Sequence, residues 1–277
     1  MYKRILSVQD LSCVGRCSLA VALPVLSACG TEACALPTAV LSTHSGGFSA
    51  PVCQDLSGDL ERIADHWRRE GVTFDGICTG YQASVEQIHR VVRVVDKLKT
   101  MHTRVIVDPA MADCGRYYRG LDGAFAEAMA ELCARADLIV PNVTEACLLT
   151  GELYCAAPDR GQVEELLSRL RACFGCDVLI TGVSDSPDRT GFSLYTGENV
   201  RFYSQPRLPG HFHGTGDLFA AALSGAWLAG MTLYDAGVVA ADFTAAAIAA
   251  TPKDRDARFG VCFETALPEL ARRVQKN

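Results

Sequence analysis

Short apolar runs recur along this chain, each followed by a polar loop and then by a segment of helical period, and that alternation constrains the fold more than any other feature. Residues 4–9 (RILSVQ) read as a buried strand, and 14–30 read as a helix that is kinked at Pro24 and stopped by Gly30. Strand signals follow at 35–41, 76–80, 104–108, 137–141 and 177–181, and helix signals at 55–70, 85–99, 121–135, 162–173, 210–230, 233–250 and 263–275. The runs 190–196 and 200–205 flank Gly197-Glu-Asn and read as a hairpin. Strands spaced this way with helices between them predict an α/β fold, a doubly wound and mostly parallel central sheet flanked by helices, with an antiparallel edge. No Pro/Ser-rich linker or charge run divides the 277 residues, so 1–277 is expected to form a single domain.

The sheet geometry gives the loops a meaning, because open α/β sheets bind ligands outside the carboxyl ends of their strands. Asp10-Leu-Ser-Cys-Val-Gly15 follows the first strand, Ser42-Thr-His-Ser-Gly-Gly-Phe48 the second, and Asp108 ends a β-branched strand before Pro109. His44 is either part of a substrate rim or an ordinary surface histidine. Asn142 and Glu145, three residues apart at a helix start, match a capping box, which alone would explain them.

Gly214-Thr215-Gly216 ends a loop and opens an apolar helix on which Leu218, Phe219, Ala222, Leu223, Ala226 and Trp227 recur at helical spacing. Glycines leave the first-turn amides uncovered, and with the helix dipole they form a site for an anion such as a phosphate. Asp217 stands directly after that turn. It either compensates the dipole or serves as a general base toward the group that attacks the phosphate.

Net charge and cysteines narrow the classes. A charge of −6 with no basic patch argues against nucleic acid or an anionic membrane as partner, and no segment is expected to reach transmembrane length. The 13 cysteines are scattered singly, as reduced thiols of a cytoplasmic protein would be, and no disulfide is expected. Cys173-Phe-Gly-Cys176 has redox or zinc spacing but no second pair or histidine beside it in sequence.

Taken together, six stretches resemble the ribokinase-like superfamily and, within it, the pyridoxal/pyridoxamine kinases of vitamin B6 salvage. They are 7–18 (SVQDLSCVGRCS), 41–47, Thr79-Gly-Tyr81, Asp108-Pro-Ala-Met-Ala-Asp113, Val140-Pro-Asn-Val-Thr-Glu145 and Gly214-Thr-Gly-Asp-Leu-Phe219, in the family's order over nearly the whole chain. The resemblance implies transfer of the γ-phosphoryl of ATP, with Mg²⁺, to the 5′-hydroxymethyl of a pyridoxine-like ring. It implies Asp217 as general base beside an anion hole of Gly214, Thr215 and Gly216. Asn142 and Glu145 match the family's motif that holds Mg²⁺ largely through water. Asp108 and Asp113 fall near metal and phosphates, with Asp108 and Glu145 as the metal pair and Thr181 and Thr215 as nucleotide contacts. Gln9, Asp10, Ser45 and Tyr81 fall where relatives line the ring pocket. The resemblance also implies a cytoplasmic homodimer and leaves room for a monovalent cation such as K⁺. Many relatives carry serine where Asp10 stands, and 15–18 (GRCS) replaces their glycine-asparagine ending, so the ring substrate stays open. Asp10 is either a turn residue or a reader of the ring's polar edge. Cys114 lies in the presumed lid, 111–118, whose closure would keep water from the phosphoryl group. Hydroxymethylpyrimidine kinases of thiamine synthesis share the fold and are the nearest alternative; a non-catalytic pyridoxal carrier is another.

Overall fold

The computed structural model describes residues 2–275 except 185, 198 and 211. Its first strand, β1 (Arg4–Ser12), lies inside a nine-stranded sheet with β2 (Glu32–Leu41), β3 (Cys53–Asp55), β4 (Gly76–Thr79) and β5 (Arg104–Val107). Two short strands, β6 (Ala112–Asp113) and β7 (Arg116–Tyr117), pair only with each other. The sheet is completed by β8 (Leu138–Ile139), β9 (Asp177–Val183), β10 (Arg189–Thr196) and β11 (Asn199–Pro206), in the order β11-β10-β9-β8-β5-β4-β1-β2-β3. From β2 through β9 every neighbouring pair is parallel, and β3, β10 and β11 pair antiparallel at the two edges. The predicted hairpin is β10 with β11; Glu198, at its expected tip, lies outside the described residues.

Both faces of the inner strands are covered, which is why they read as continuous apolar runs. Leu6, Val8, Val105, Val107, Val178 and Ile180 join one core with α2 (Ser57–Arg69), α3 (Val85–Leu98), α4 (Gly123–Cys133), α5 (Val143–Thr150) and α6 (Arg160–Phe174). Their neighbours Ile5, Ile106 and Leu179 join the other, with α1 (Leu19–Ala28), α7 (Thr215–Leu228), α8 (Leu233–Ala250) and α9 (Leu267–Gln275). The second face is built largely from small residues, so helices approach closely. A Cβ at Gly225 of α7 would stand 2.6 Å from Cys29 Cβ, which fixes glycine there.

Several boundaries depart from the pattern for identifiable reasons. α1 begins five residues later than the apolar run, because Gly15 and Ser18 take positive φ and keep 13–18 in a loop. β3 escapes the pattern: it is three exposed residues without alternation, and it exists because the edge of β2 offers unpaired backbone groups. The expectation that no segment reaches membrane length is corrected by α8, whose 18 residues have a mean hydropathy of 1.4. In this fold α8 is a core helix: Leu233, Ala236, Val239, Ala240, Phe243 and Ala247 are buried with α7, β10 and α9.

Candidate active site

The site forms at the carboxyl end of the parallel strands, where α7 begins. Gly214 precedes the helix at φ 78°, and a Cβ there would stand 1.9 Å from the carbonyl oxygen of Arg16, so only glycine permits the approach to the β1–α1 loop. Gly216 is different: its φ is not positive and no atom lies within 4 Å of an added Cβ. It faces open space. No side chain caps α7, so the first-turn amides of a 14-residue helix point out together.

Asp217, third residue of α7, does not fold back to cap its own helix. Its Oδ2 instead accepts the amide of Ser18, at 2.9 Å. Burial pushes its carboxyl up from 3.8 to about 6, the Ser18 amide opposing and the nearby Asp10 charge adding to the rise. That brings it into the range of a base working near neutral pH.

Asp108 and Glu145 complete a carboxylate group around the same point. Burial holds Asp108 well above the usual carboxylate range, and the charges of Glu145 and Asp217 push it further. Glu145, 2% exposed, is raised to about 7 by burial despite three amides that favour its ionised form. Its Oε2 accepts the Asn142 amide at 2.9 Å, while its Oε1 accepts those of Met111 at 2.9 Å and Ala112 at 3.4 Å. Asn142 Oδ1 accepts the Glu145 amide and its Nδ2 donates to the Ala112 carbonyl, at 3.0 and 2.8 Å. The capping box is therefore formed, and it does a second job: it straps the 110–118 segment to α5. Thr144 Oγ1 adds a bond from the Gly115 amide. Met111 and Ala112 are fully buried, so the expectation that the lid moves from Met111 onward gives way to a short β6–β7 ribbon with fixed roots.

The remaining sequence-selected residues separate into two groups. Asp10, buried, accepts the hydroxyls of Ser18 and Ser12 at 2.6 and 3.1 Å; burial, and after it the Asp10 charge, raises the phenol of Tyr81, against which Ser45 sets its hydroxyl. These three meet. Gln9 turns away: it is 5% exposed, donates to Ser7 Oγ at 2.9 Å, and lies where Gly80 would carry a Cβ. Asp113 is exposed and accepts the Cys114 amide at 2.7 Å, and its charge raises the Cys114 thiol, keeping it protonated and weakly nucleophilic. Thr181 is joined to Asn142 by a single parallel bridge, with its amide donating to the Pro141 carbonyl.

Two residues whose partners the sequence pattern did not disclose stand out. Ser18 bridges Asp10 and Asp217, and no periodicity marks it. His44, open between rim and surface in the sequence, is 6% exposed; its Nε2 lies 2.5 Å from the Arg258 carbonyl, and its ring packs 5.1 Å from those of Phe48 and His213. It pins the 42–48 loop to the segment that leads into Gly214.

Over residues 23–260 the chain matches the phosphomethylpyrimidine kinase family, and it belongs to that family. Pyridoxal kinase from Lactobacillus plantarum is 35% identical, with a TM-score of 0.91 over 100% of this chain and 99% of the other. A Bacteroides thetaiotaomicron VPI-5482 protein, provisionally assigned as a phosphomethylpyrimidine kinase and crystallised with pyridoxal, is 34% identical, with a TM-score of 0.92 over 98% of this chain and 96% of that one. Leishmania donovani pyridoxal kinase, solved with ADP and pyridoxamine, shares the fold at 23% identity and a TM-score of 0.85, over 97% and 95% of the two chains.

Proposed function

We propose that this protein is a pyridoxal kinase, one kinase unit spanning 1–277 that transfers the γ-phosphoryl group of ATP to the 5′-hydroxymethyl of pyridoxal, pyridoxamine or pyridoxine. One observation carries the reading: the uncapped start of α7 beside a carboxylate that has left its own helix to be held by Ser18. The kinship with the Lactobacillus and Bacteroides proteins supports a B6 vitamer as acceptor.

In this reading the amides of Gly214, Thr215 and Gly216 receive the phosphoryl oxygens, and Asp217 accepts the proton of the hydroxymethyl as its oxygen attacks phosphorus and ADP departs. Asp217 Oδ2 is occupied by the Ser18 amide, which leaves Oδ1 for that proton. Asp10, Ser45 and Tyr81 line the ring side, and Gln9 packs against Gly80, the residue before Tyr81. Asp113, Asn142, Thr181 and Thr215 are assigned to the nucleotide.

The donor set suits Mg²⁺. Asp108 and Glu145 supply hard oxygens where burial first, and neighbouring carboxylates after it, raise both carboxyls, and a divalent cation would favour their ionised forms. Among the described residues no three His, Cys, Asp or Glu side chains form a protein-only cage. Asp108 would hold the ion directly with water and phosphate, and Glu145, its oxygens engaged by amides, through water. When bound, Mg²⁺ supplies charge neutralisation of the phosphates. A monovalent cation such as K⁺ would add to that role. The working form is assigned as a cytoplasmic homodimer, which light scattering on the purified chain would check.

An ATP-consumption assay against pyridoxal, pyridoxamine, pyridoxine and hydroxymethylpyrimidine tests the proposal. Turnover of the three vitamers above hydroxymethylpyrimidine is expected. Preference for hydroxymethylpyrimidine would move the protein to thiamine synthesis, and no turnover of any would leave a pyridoxal carrier.

A further inference from the structure

Ser18 adopts φ 51° and ψ −131°, a conformation that strains any residue with a Cβ and that glycine takes freely. It also stands at the N-cap of α1, where serine ordinarily bonds a first-turn amide, yet its hydroxyl makes no such bond. The hydroxyl donates to Asp10 Oδ1 at 2.6 Å, the amide donates to Asp217 Oδ2 at 2.9 Å, and the carbonyl accepts the amides of Val21 and Ala22. All its polar groups are committed, and the residue is 4% exposed. Serine at this position is worse than glycine for the backbone and forgoes its usual capping bond. What it offers that glycine cannot is the link to Asp10.

Asp10 is a firm anchor. It is 5% exposed at the end of β1, and its second oxygen is held by Ser12 Oγ at 3.1 Å. For Asp217, by contrast, the Ser18 amide is the one hydrogen-bond partner of the carboxylate among the described residues, and it sets which way that carboxylate turns.

We propose that Ser18 is a positioning residue for the phosphoryl-transfer site: Asp10 holds the Ser18 hydroxyl, this fixes the Ser18 amide against one oxygen of Asp217, and the other oxygen is thereby aimed at the acceptor hydroxyl. The inference rests on the assignment of Asp217 as general base.

The test compares Ser18→Gly, Asp217→Asn and the double variant, with pyridoxal, ATP and Mg²⁺ and with the thermal midpoint of each. Glycine suits the backbone at residue 18, so Ser18→Gly is expected to fold. Its kcat should fall roughly tenfold, the worth of one hydrogen bond to a charged group, with KM for pyridoxal and ATP changed less than about threefold. In the Asp217→Asn background the same substitution should change kcat by less than about twofold, since no base remains to be aimed. Equal losses in the two backgrounds, or an unchanged kcat in Ser18→Gly alone, would overturn the positioning role. Near-normal kcat in Asp217→Asn alone is a separate result, and it would overturn the base assignment itself.

Discussion

Replacing Asp217 by asparagine should weaken catalysis and strengthen the fold, and the second effect has a pH dependence that the structure fixes. The folded carboxyl lies at about 6 against 3.8 for the free group. A raised carboxyl contributes stability that is fully present below the unfolded value and lost as pH rises through the folded one. Ionised Asp217 therefore burdens the fold above about pH 6 and not below about pH 4. Asparagine keeps an oxygen for the Ser18 amide and carries no charge at any pH, so it removes the burden. About two pH units at 1.36 kcal/mol each set an upper figure of roughly 3 kcal/mol, and partial solvent access reduces it to roughly 1–3. At about 2 °C per kcal/mol for a chain of this size, Asp217→Asn should melt roughly 2–6 °C higher than the parent at pH 8 and within about a degree of it at pH 4. In the same preparation kcat at pH 8 should fall roughly 10²–10⁴-fold, the usual worth of a positioned base. Scanning calorimetry at the two pH values, with the coupled assay on the same samples, reads both. A variant that melts with the parent at pH 8 would refute the buried, raised carboxylate. One that retains near-normal kcat would refute the base.

Other outcomes follow from neighbouring geometry. Gly216→Ala adds a methyl into open space, so its melting temperature should hold while KM for ATP rises at least about tenfold if that space belongs to phosphate; an unchanged KM would remove Gly216 from the anion hole. Glu145→Gln relieves a buried charge but turns an NH2 toward amides that a carboxylate oxygen now accepts, so it should on balance lower stability by about 1 kcal/mol or more, and it should also shift the Mg²⁺ titration severalfold. A lowered melting temperature with an unchanged Mg²⁺ midpoint would leave only the cap. Asp10→Ser should lower kcat/KM for pyridoxamine more than for pyridoxal or pyridoxine, by roughly three- to thirtyfold, because only pyridoxamine offers a cationic amine. Equal losses across the three would show that Asp10 shapes the loop through Ser12 and Ser18 and does not read the amine.

The order of strands and helices was legible because each inner strand is buried on both faces and each helix must cover one of them. That requirement writes apolar runs and helical periods into the chain wherever the element stands. The turn of Gly214, Thr215 and Gly216 was legible for a related reason: a helix start packed against another backbone leaves few residue choices, and the contact of Gly214 with Arg16 is one of them. The capping box was legible too, being local in sequence. What it reaches was not. Glu145 meets Met111 across 34 residues, Ser18 meets Asp217 across 199, and His44 meets Arg258 across 214. Nothing in local propensity records those pairings, since a serine that aims an amide at a carboxylate has the same composition as one in any loop. Local steric and solvation rules determined the elements, and the close packing of loops at one end of the sheet decided which side chains share the site, because hydrogen bonds depend on distances in space that separation along the chain does not set.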